Sequence, residues 1–253
     1  MKKVPIKTEA EIEIMRAGGE ILKKVFEIIA KQIRAGVNAS ELDALAEKII
    51  LENHAMPSFK GYGASKKQIG FPATLCISIN EEVVHGIPGA RILKEGDIVG
   101  IDCGVFYQGF HTDSARTFLV GKVHQEVVYF VKTTEKALQK ALHKVRDGAR
   151  LGDVSETIQK TIEQRGYAVV RNCTGHGVGK ELHEEPEILN YGKKGTGLIL
   201  KKGMVLAIEP ISVMGKSGEI FDDKDGWTVK AHNLSAHFEN TVLVTESGCE
   251  ILA

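Results

Sequence analysis

Four carboxylates and one imidazole stand at positions in this 253-residue chain where their chemistry is costly unless it is used. Asp102 closes the apolar run Ile98-Val-Gly-Ile101, and Glu209 closes Val205-Leu-Ala-Ile208. An acid within an apolar strand is costly to bury unless it is paired, protonated or bound to a metal. Asp113 follows Asp102 across a predicted hairpin turn at Gln108-Gly109, a register that sets it opposite Gly104 and on the strand face of Asp102. Diagonal neighbours of this kind lie ~7–8 Å apart between Cα atoms, near enough to share a metal centre. His176 sits in Thr174-Gly-His-Gly-Val-Gly179, where flanking glycines would let the backbone approach a ligand closely. Glu239 sits in the predicted strand His237-Phe-Glu-Asn-Thr-Val242.

Carboxylate-rich ligation with a single imidazole suits Mn²⁺, Fe²⁺, Co²⁺ or Zn²⁺ in a binuclear site, unlike the sulfur-rich ligation of structural zinc. Two metals ~3.5–4 Å apart would activate a bridging water and hold a scissile carbonyl. Taken singly, each residue has an ordinary explanation: Asp102 a buried hydrogen-bonded acid, Asp113 a turn cap, Glu239 half of a cross-strand ion pair, His176 a loop histidine. Tied to the repeat described next, the set reads as one site. His54, His111, His124, His143 and His232 lack such context and read as surface or packing residues.

The elements that must position these residues follow a duplicated plan. Thr8-Glu-Ala-Glu11 reads as a capping box, and Ile14, Ile21, Leu22, Val25, Ile28 and Ile29 continue at helical spacing, predicting a helix over residues 8–34. Ser40 can cap a second helix through Leu42, Leu45, Ala46 and Ile49, before a long loop marked by Pro57 and several glycines. Strands follow from Leu75 to Val120. The second half repeats the order, with helices near 123–147 and 153–165, a short strand at 167–171 and strands near 204–214, 227–231 and 236–245. Leu93-Lys-Glu-Gly-Asp-Ile-Val-Gly-Ile-Asp102 parallels Leu200-Lys-Lys-Gly-Met-Val-Leu-Ala-Ile-Glu209, and His85-Gly-Ile-Pro88 parallels His183-Glu-Glu-Pro186. Paired matches in one order predict a single domain over 1–253, built from α/β halves at roughly 8–121 and 123–247. A pseudo-twofold axis would bring Asp102 and Glu209 towards one central site.

Composition narrows the classes of partner. The chain is 43% hydrophobic, enough for a sizeable core, and carries 33 basic against 33 acidic residues without a dense run of one sign. Neither nucleic acid nor an anionic membrane is an expected partner. The N-terminus Met1-Lys-Lys-Val-Pro-Ile-Lys-Thr has no apolar core for secretion, and no stretch approaches the ~20 apolar residues of a membrane span, so a cytoplasmic location is expected. Cys76, Cys103, Cys173 and Cys249 are scattered without a Cys-x-x-Cys pair and read as reduced thiols.

Val84-His-Gly-Ile-Pro88, Asp97-Ile-Val-Gly-Ile-Asp102, His111-Thr-Asp113, Gly175-His-Gly-Val-Gly179, His183-Glu-Glu-Pro186, Ile208-Glu-Pro210 and Phe238-Glu-Asn-Thr241 resemble type I methionine aminopeptidases over nearly the whole chain. The resemblance implies the pita-bread α/β fold and metal-dependent removal of the initiator methionine when the next residue is small. It implies that Asp102 chelates one metal, that His176 and Glu209 bind the other, and that Asp113 and Glu239 bridge both, with Glu209 as proton shuttle. It implies that His85 and His183 contact the substrate backbone and stabilise the tetrahedral intermediate, and that Tyr62, Phe71, Cys76 and Trp227 line the methionine pocket. A structural monovalent cation, Na⁺ or K⁺, at backbone carbonyls near Asn80 and Ser235 is a further implication. So is a monomer acting on methionyl peptides and nascent chains near the ribosome. Without a Cys/His-rich extension or a long insertion in the second half, the compact bacterial form is expected.

Two departures stand out. Ala64-Ser-Lys-Lys-Gln-Ile69 is inserted between Gly61-Tyr-Gly63 and Gly70-Phe-Pro72, either as a solvated loop or as a basic flap carrying Lys66 and Lys67. His237 stands where the family commonly has glutamine, two residues before Glu239 and so on its strand face, with a pH dependence of its own expected. Two rival functions remain at this point. One is an Xaa-Pro peptidase of the same fold, disfavoured by the lack of a long N-terminal domain, and the other is a metal-free peptide-binding paralogue, disfavoured by retention of all five ligands.

Overall fold

A computed structural model describes residues 4–65 and 69–253. Helices α1 (Glu9–Ala30) and α2 (Ala39–Glu52) precede β1 (Met56–Pro57), β2 (Leu75–Ile79), β3 (Glu82–Val84) and the long hairpin of β4 (Ile98–Tyr107) and β5 (Phe110–Leu119). Helices α3 (Gln125–Leu142) and α4 (Leu151–Glu163) then precede β6 (Ala168–Val169), β7 (Thr174–Gly177), β8 (Glu184–Leu189), β9 (Val205–Ile208) and β10 (Ile211–Val213). Strands β11 (Ile220–Asp222), β12 (Val229–Ala231), β13 (Ser235–His237), β14 (Glu239–Val244) and β15 (Cys249–Ile251) complete the order. Among the described residues no helix is long and apolar enough to cross a membrane.

Helix α1 starts at the expected capping box, with the Thr8 hydroxyl accepting the Glu11 amide, but it stops at Ala30 rather than 34. There the Gln32 amide turns back to the Ile29 carbonyl, and Gly36 at φ +88° carries the chain away. The cap of α2 is Asn38, not Ser40: the Asn38 side chain accepts the Ser40 amide at 3.0 Å and the Ser40 hydroxyl at 2.9 Å. Helices α3 and α4 are likewise shorter than, or offset from, the predicted 123–147 and 153–165.

Strands order as β1-β4-β5-β14-β9-β7-β8 in a nine-stranded sheet, with β2 on β4 and β15 on β14, and every pairing is antiparallel. Each helix pair covers its own part of this sheet. Leu22, Ile29, Leu42 and Ile50 from α1 and α2 pack with Leu75, Ile77, Val99, Ile101, Cys103 and Val105. Phe130, Leu138, Ile158 and Ile162 from α3 and α4 pack with Leu206, Ile208, Val242 and Val244. Each such side chain taken from water contributes about 1.5–3 kcal/mol. Period-two alternation then leaves Asp102, Glu209 and Glu239 on the face away from these helices.

The two halves share their joints. The Gly36 amide donates to the Leu93 carbonyl at 2.8 Å and the Gly148 amide to the Leu200 carbonyl at 2.9 Å. Isolated bridges join Asn38 to Ile92 and Arg150 to Ile199.

The segments predicted as single strands at 204–214 and 236–245 are each broken, at Glu209-Pro210 and at Phe238. Pro210 has no amide hydrogen with which to continue the ladder. Beyond the breaks, β10 and β13 pair in a second sheet, ordered β13-β10-β6. A third sheet, β11-β12-β3, carries the hairpin that leads to Trp227.

Candidate metal centre and substrate pocket

Strand register assembles the acids around one small residue. Asp102 on β4 pairs with Ala115 on β5, and Ala115 also pairs with Glu239 on β14, so the three form a row across three strands. Asp113 lies two residues from Ala115 on the same strand, opposite Gly104. His176 on β7 pairs with Ala207 on β9, and Asn240 pairs with Ile208. Continuing that register by one residue sets Glu209 beside Glu239. Ligand atoms of Asp113, His176 and Glu239 all lie within 4.8 Å of one another, and His176 Nε2 lies 3.6 Å from Glu209 Oε1.

Electrostatics make this cluster incomplete as a protein-only structure. Burial pushes Asp113 and Glu209 up to about 8, and Asp102 and Glu239 well above the usual carboxylate range, with mutual repulsion adding to the rise for Asp113, Asp102 and Glu239. Burial also pushes His176 down to about 3, which keeps the ring neutral and able to coordinate. Arg116 is the cation that lowers Glu239 through space, and its guanidinium donates to the main-chain carbonyls of Glu239 and Ala115 and to the Ser114 hydroxyl, not to the Glu239 carboxylate. Asp102 Oδ1 and Glu239 Oε1 are buried with no hydrogen-bond partner. Unpartnered carboxylate oxygens facing a neutral imidazole fit divalent cations, which need oxygen and nitrogen lone pairs and cancel the repulsion.

The glycines beside His176 serve a different purpose from the one expected. A Cβ on Gly175 would meet the Ala207 carbonyl oxygen at 2.5 Å, and one on Gly177 the Glu185 carbonyl oxygen at 2.1 Å. They let β7 seat closely between β9 and β8, rather than opening the backbone to a ligand.

A cavity of ≈ 160 Å³ opens above the cluster. It is smaller than the ~300–1,000 Å³ clefts of drug-sized ligands, a size suited to one side chain. The residues expected as metal ligands, Asp102, Asp113, His176, Glu209 and Glu239, line it together with the expected substrate contacts His85 and His183 and the expected pocket residues Tyr62, Phe71, Cys76 and Trp227, whereas Asn80 and Ser235 do not. Phe71 and Trp227 meet edge to face with centroids 5.4 Å apart. His176 and His183 do the same at 4.4 Å. Phe59, Val84 and Leu182 also line the cavity and were not anticipated, although each adjoins a motif, before Lys60-Gly-Tyr62, His85 and His183. Arg116 was missed too; its signal is a cation inside a strand whose neighbours are buried.

His237 lies on β13, not on the strand of Glu239, yet its ring lines the cavity with Nε2 3.4 Å from Glu209 Oε2. Burial pushes it down to about 3. Near Asn80 the Ser235 amide donates to the Asn80 carbonyl at 2.8 Å, and the buried Ser235 hydroxyl has no partner. Lys66 and Lys67 of the inserted segment lie outside the described residues. Its roots do not: Tyr62 and Phe71 both line the cavity, and Gly63 sits against Trp227. His111 bonds Ser58 through Nδ1 at 2.9 Å, and His124 caps α3, in keeping with packing and surface roles. All four cysteines are free thiols.

Residues 13–246 match metallopeptidase family M24. A methionine aminopeptidase of Clostridium perfringens is 46% identical over 249 residues, 98% of this chain and 97% of that protein. The crystal structure of a methionine aminopeptidase from Thermotoga maritima superposes with a TM-score of 0.95 at 43% identity, over 99% of each chain. A prolidase from Pyrococcus furiosus shares the fold at a TM-score of 0.78 and 27% identity, a match covering 98% of this chain and 64% of the prolidase.

Proposed function

The chain belongs to metallopeptidase family M24, with its pita-bread α/β fold, and from that membership we infer that it works as a methionine aminopeptidase, hydrolysing the N-terminal methionine from peptides and nascent chains. One observation carries the reading: four carboxylates and an imidazole converge at the floor of a cavity whose walls are aromatic, aliphatic and thiol. Such walls suit a flexible thioether side chain. Identity of 43–46% to methionine aminopeptidases against 27% to the prolidase favours the aminopeptidase over the Xaa-Pro peptidase.

Divalent cations, when bound, supply Lewis-acid polarisation of the scissile carbonyl and activate water. Asp102, Asp113, His176, Glu209 and Glu239 would hold them. Four carboxylates call for two such ions, since +4 balances −4 where a single ion would leave repulsion in a buried site. By likeness to the family, Asp102 would serve one ion, His176 and Glu209 the other, and Asp113 and Glu239 would be shared between them. Co, Mn, Fe and Zn all fit the donor set. Glu209 takes the proton of the attacking water at a carboxylate oxygen and returns it to the departing amine. His85 and His183 bracket the substrate backbone, and Tyr62, Phe71, Cys76 and Trp227 exclude water from the methionine side chain. A small second residue, a monovalent cation near Asn80 and Ser235, a single catalytic domain of two repeated halves, and monomeric work in the cytoplasm near the ribosome belong to the same reading.

The test is a metal titration of chelator-stripped protein while methionine release from Met-Ala-Ser is followed beside cleavage of an Ala-Pro peptide. Activity is expected only with metal, saturating at two equivalents, and only on Met-Ala-Ser. Cleavage by metal-free protein would overturn the mechanism, and preferential cleavage of Ala-Pro would overturn the specificity.

A further inference from the structure

The inserted segment between Tyr62 and Phe71 is tied across its base. The Phe71 amide donates to the Tyr62 carbonyl at 2.9 Å, and the Gly61 amide to the Phe71 carbonyl at 2.8 Å. This tie presents the Tyr62 side chain, from the first half of the chain, to a histidine of the second. The Tyr62 hydroxyl lies 2.7 Å from His183 Nδ1, a full hydrogen-bond length, and the rings meet edge to face with centroids 5.3 Å apart. The backbone beneath His183 is fixed separately, because Glu184 Oε1 accepts the Lys180 amide at 2.8 Å and its other oxygen pairs with Lys7 Nζ. What remains for Tyr62 to set is the rotation of the His183 ring and the nitrogen that carries its proton.

A phenol hydroxyl is a donor at neutral pH, and burial together with Glu181 pushes its pKa up here. A neutral imidazole accepts at one nitrogen and donates at the other, so a ring that accepts at Nδ1 carries its proton on Nε2. The repeat counterpart His85 is placed differently: Thr228 Oγ1 reaches its backbone carbonyl at 3.5 Å, and among the described residues its ring has no hydrogen-bonding partner. The two His-x-x-Pro histidines are therefore not equivalent in the structure.

We propose that Tyr62 is a positioning residue, whose hydroxyl donates to His183 Nδ1, holds the ring as its Nε2–H tautomer and so keeps a hydrogen-bond donor available to the substrate carbonyl oxygen in the cavity. The 2.7 Å contact is the observation, the direction of its hydrogen is part of the proposal, and the use of the ring on a peptide rests on the aminopeptidase reading. Tyr62 thereby links the mouth of the cavity, where it is 43% exposed, to a group on the reacting centre.

The test begins with histidine ¹⁵N resonances of metal-free protein, with His183→Asn identifying those of His183. Wild type should show a bare Nδ1 and a protonated Nε2, and Tyr62→Phe should shift His183 to a mixture of tautomers. A protonated Nδ1 in wild type, or the same tautomer in both proteins, would overturn the proposal. In metal-loaded enzyme, Tyr62→Phe should lower kcat on Met-Ala-Ser about tenfold with KM changed by less than about twofold, as loss of one hydrogen bond in the transition state does. It should cause no further loss in a His183→Ala background. Unchanged kcat with raised KM would make Tyr62 a wall and nothing more. A wild type that releases no methionine would remove the aminopeptidase reading while leaving the tautomer result to stand or fall by itself.

Discussion

Glu209 occupies the most demanding position of any single residue. It closes β9, stands 3.6 Å from His176 Nε2 and 3.4 Å from His237 Nε2, and is pushed up to about 8 by burial. A carboxylate so placed can hold a cation and move a proton, whereas an amide of the same shape can do neither well. Glu209→Gln should keep the fold, because size and backbone are unchanged, and should lower kcat by about 10²–10⁴-fold. Metal analysis alongside the kinetics separates the two roles: near-normal turnover at full occupancy would remove Glu209 as the proton carrier. The importance of this position is readable from an acid after Val205-Leu-Ala-Ile208, but its neighbours His176 and His237 come from strands distant in sequence.

At the level of elements, the site depends on how closely strands seat. Strand β7 presents His176 from between β8 and β9, and it fits there because Gly175 and Gly177 have no Cβ. Gly177→Ala sets a methyl carbon 2.1 Å from the Glu185 carbonyl oxygen, which the backbone must move to relieve. The expected loss is about 1–3 kcal/mol, read as a fall in Tm of roughly 2–12 °C, together with weaker metal binding as His176 shifts. A variant with unchanged Tm would show that β7 has room to spare. The breaks at Glu209-Pro210 and Phe238 work in the same way, since they let two neighbouring strands pass from the nine-stranded sheet into a second sheet just where two acids are needed.

For the whole molecule, the buried acids set a pH dependence of stability that metal should remove. Asp113 and Glu209 have folded values near 8 against ordinary values of 3.8 and 4.5, so at intermediate pH the metal-free native state binds more protons than the unfolded chain. Stability then falls as pH rises through that range. The buried histidines act in the opposite sense, since His176 and His237 are pushed down to about 3 and His85 and His111 to about 4 from 6.5, but their contribution levels off about one unit above 6.5. The clean window is therefore about pH 7.5 to 8.5, where Tm of metal-free protein should fall with rising pH. Saturating Mn²⁺ should raise Tm and flatten the slope, because cations stabilise the ionised carboxylates. A flat profile without metal would mean that the cluster is more hydrated than its burial implies.

What the amino-acid order determined by itself was local and periodic. Alternation placed Asp102 apart from Ile101 and Cys103, and the Gln108-Gly109 turn set Asp113 opposite Gly104, because strand period and hairpin register depend on residues a few positions apart. The repeated blocks at 93–102 and 200–209 were legible for the same reason. Tertiary structure decided what depends on contacts between distant segments: the row from Asp102 through Ala115 to Glu239, the shelter of Arg116 and the bond from Tyr62 to His183. It also decided details that looked local. Asn38 rather than Ser40 caps α2 because the chain enters that helix already bridged to Ile92, and Gly175 and Gly177 answer to the strands on either side, not to the cavity. Sheet order and close packing join residues a hundred or more positions apart, and no periodicity within one segment carries that information.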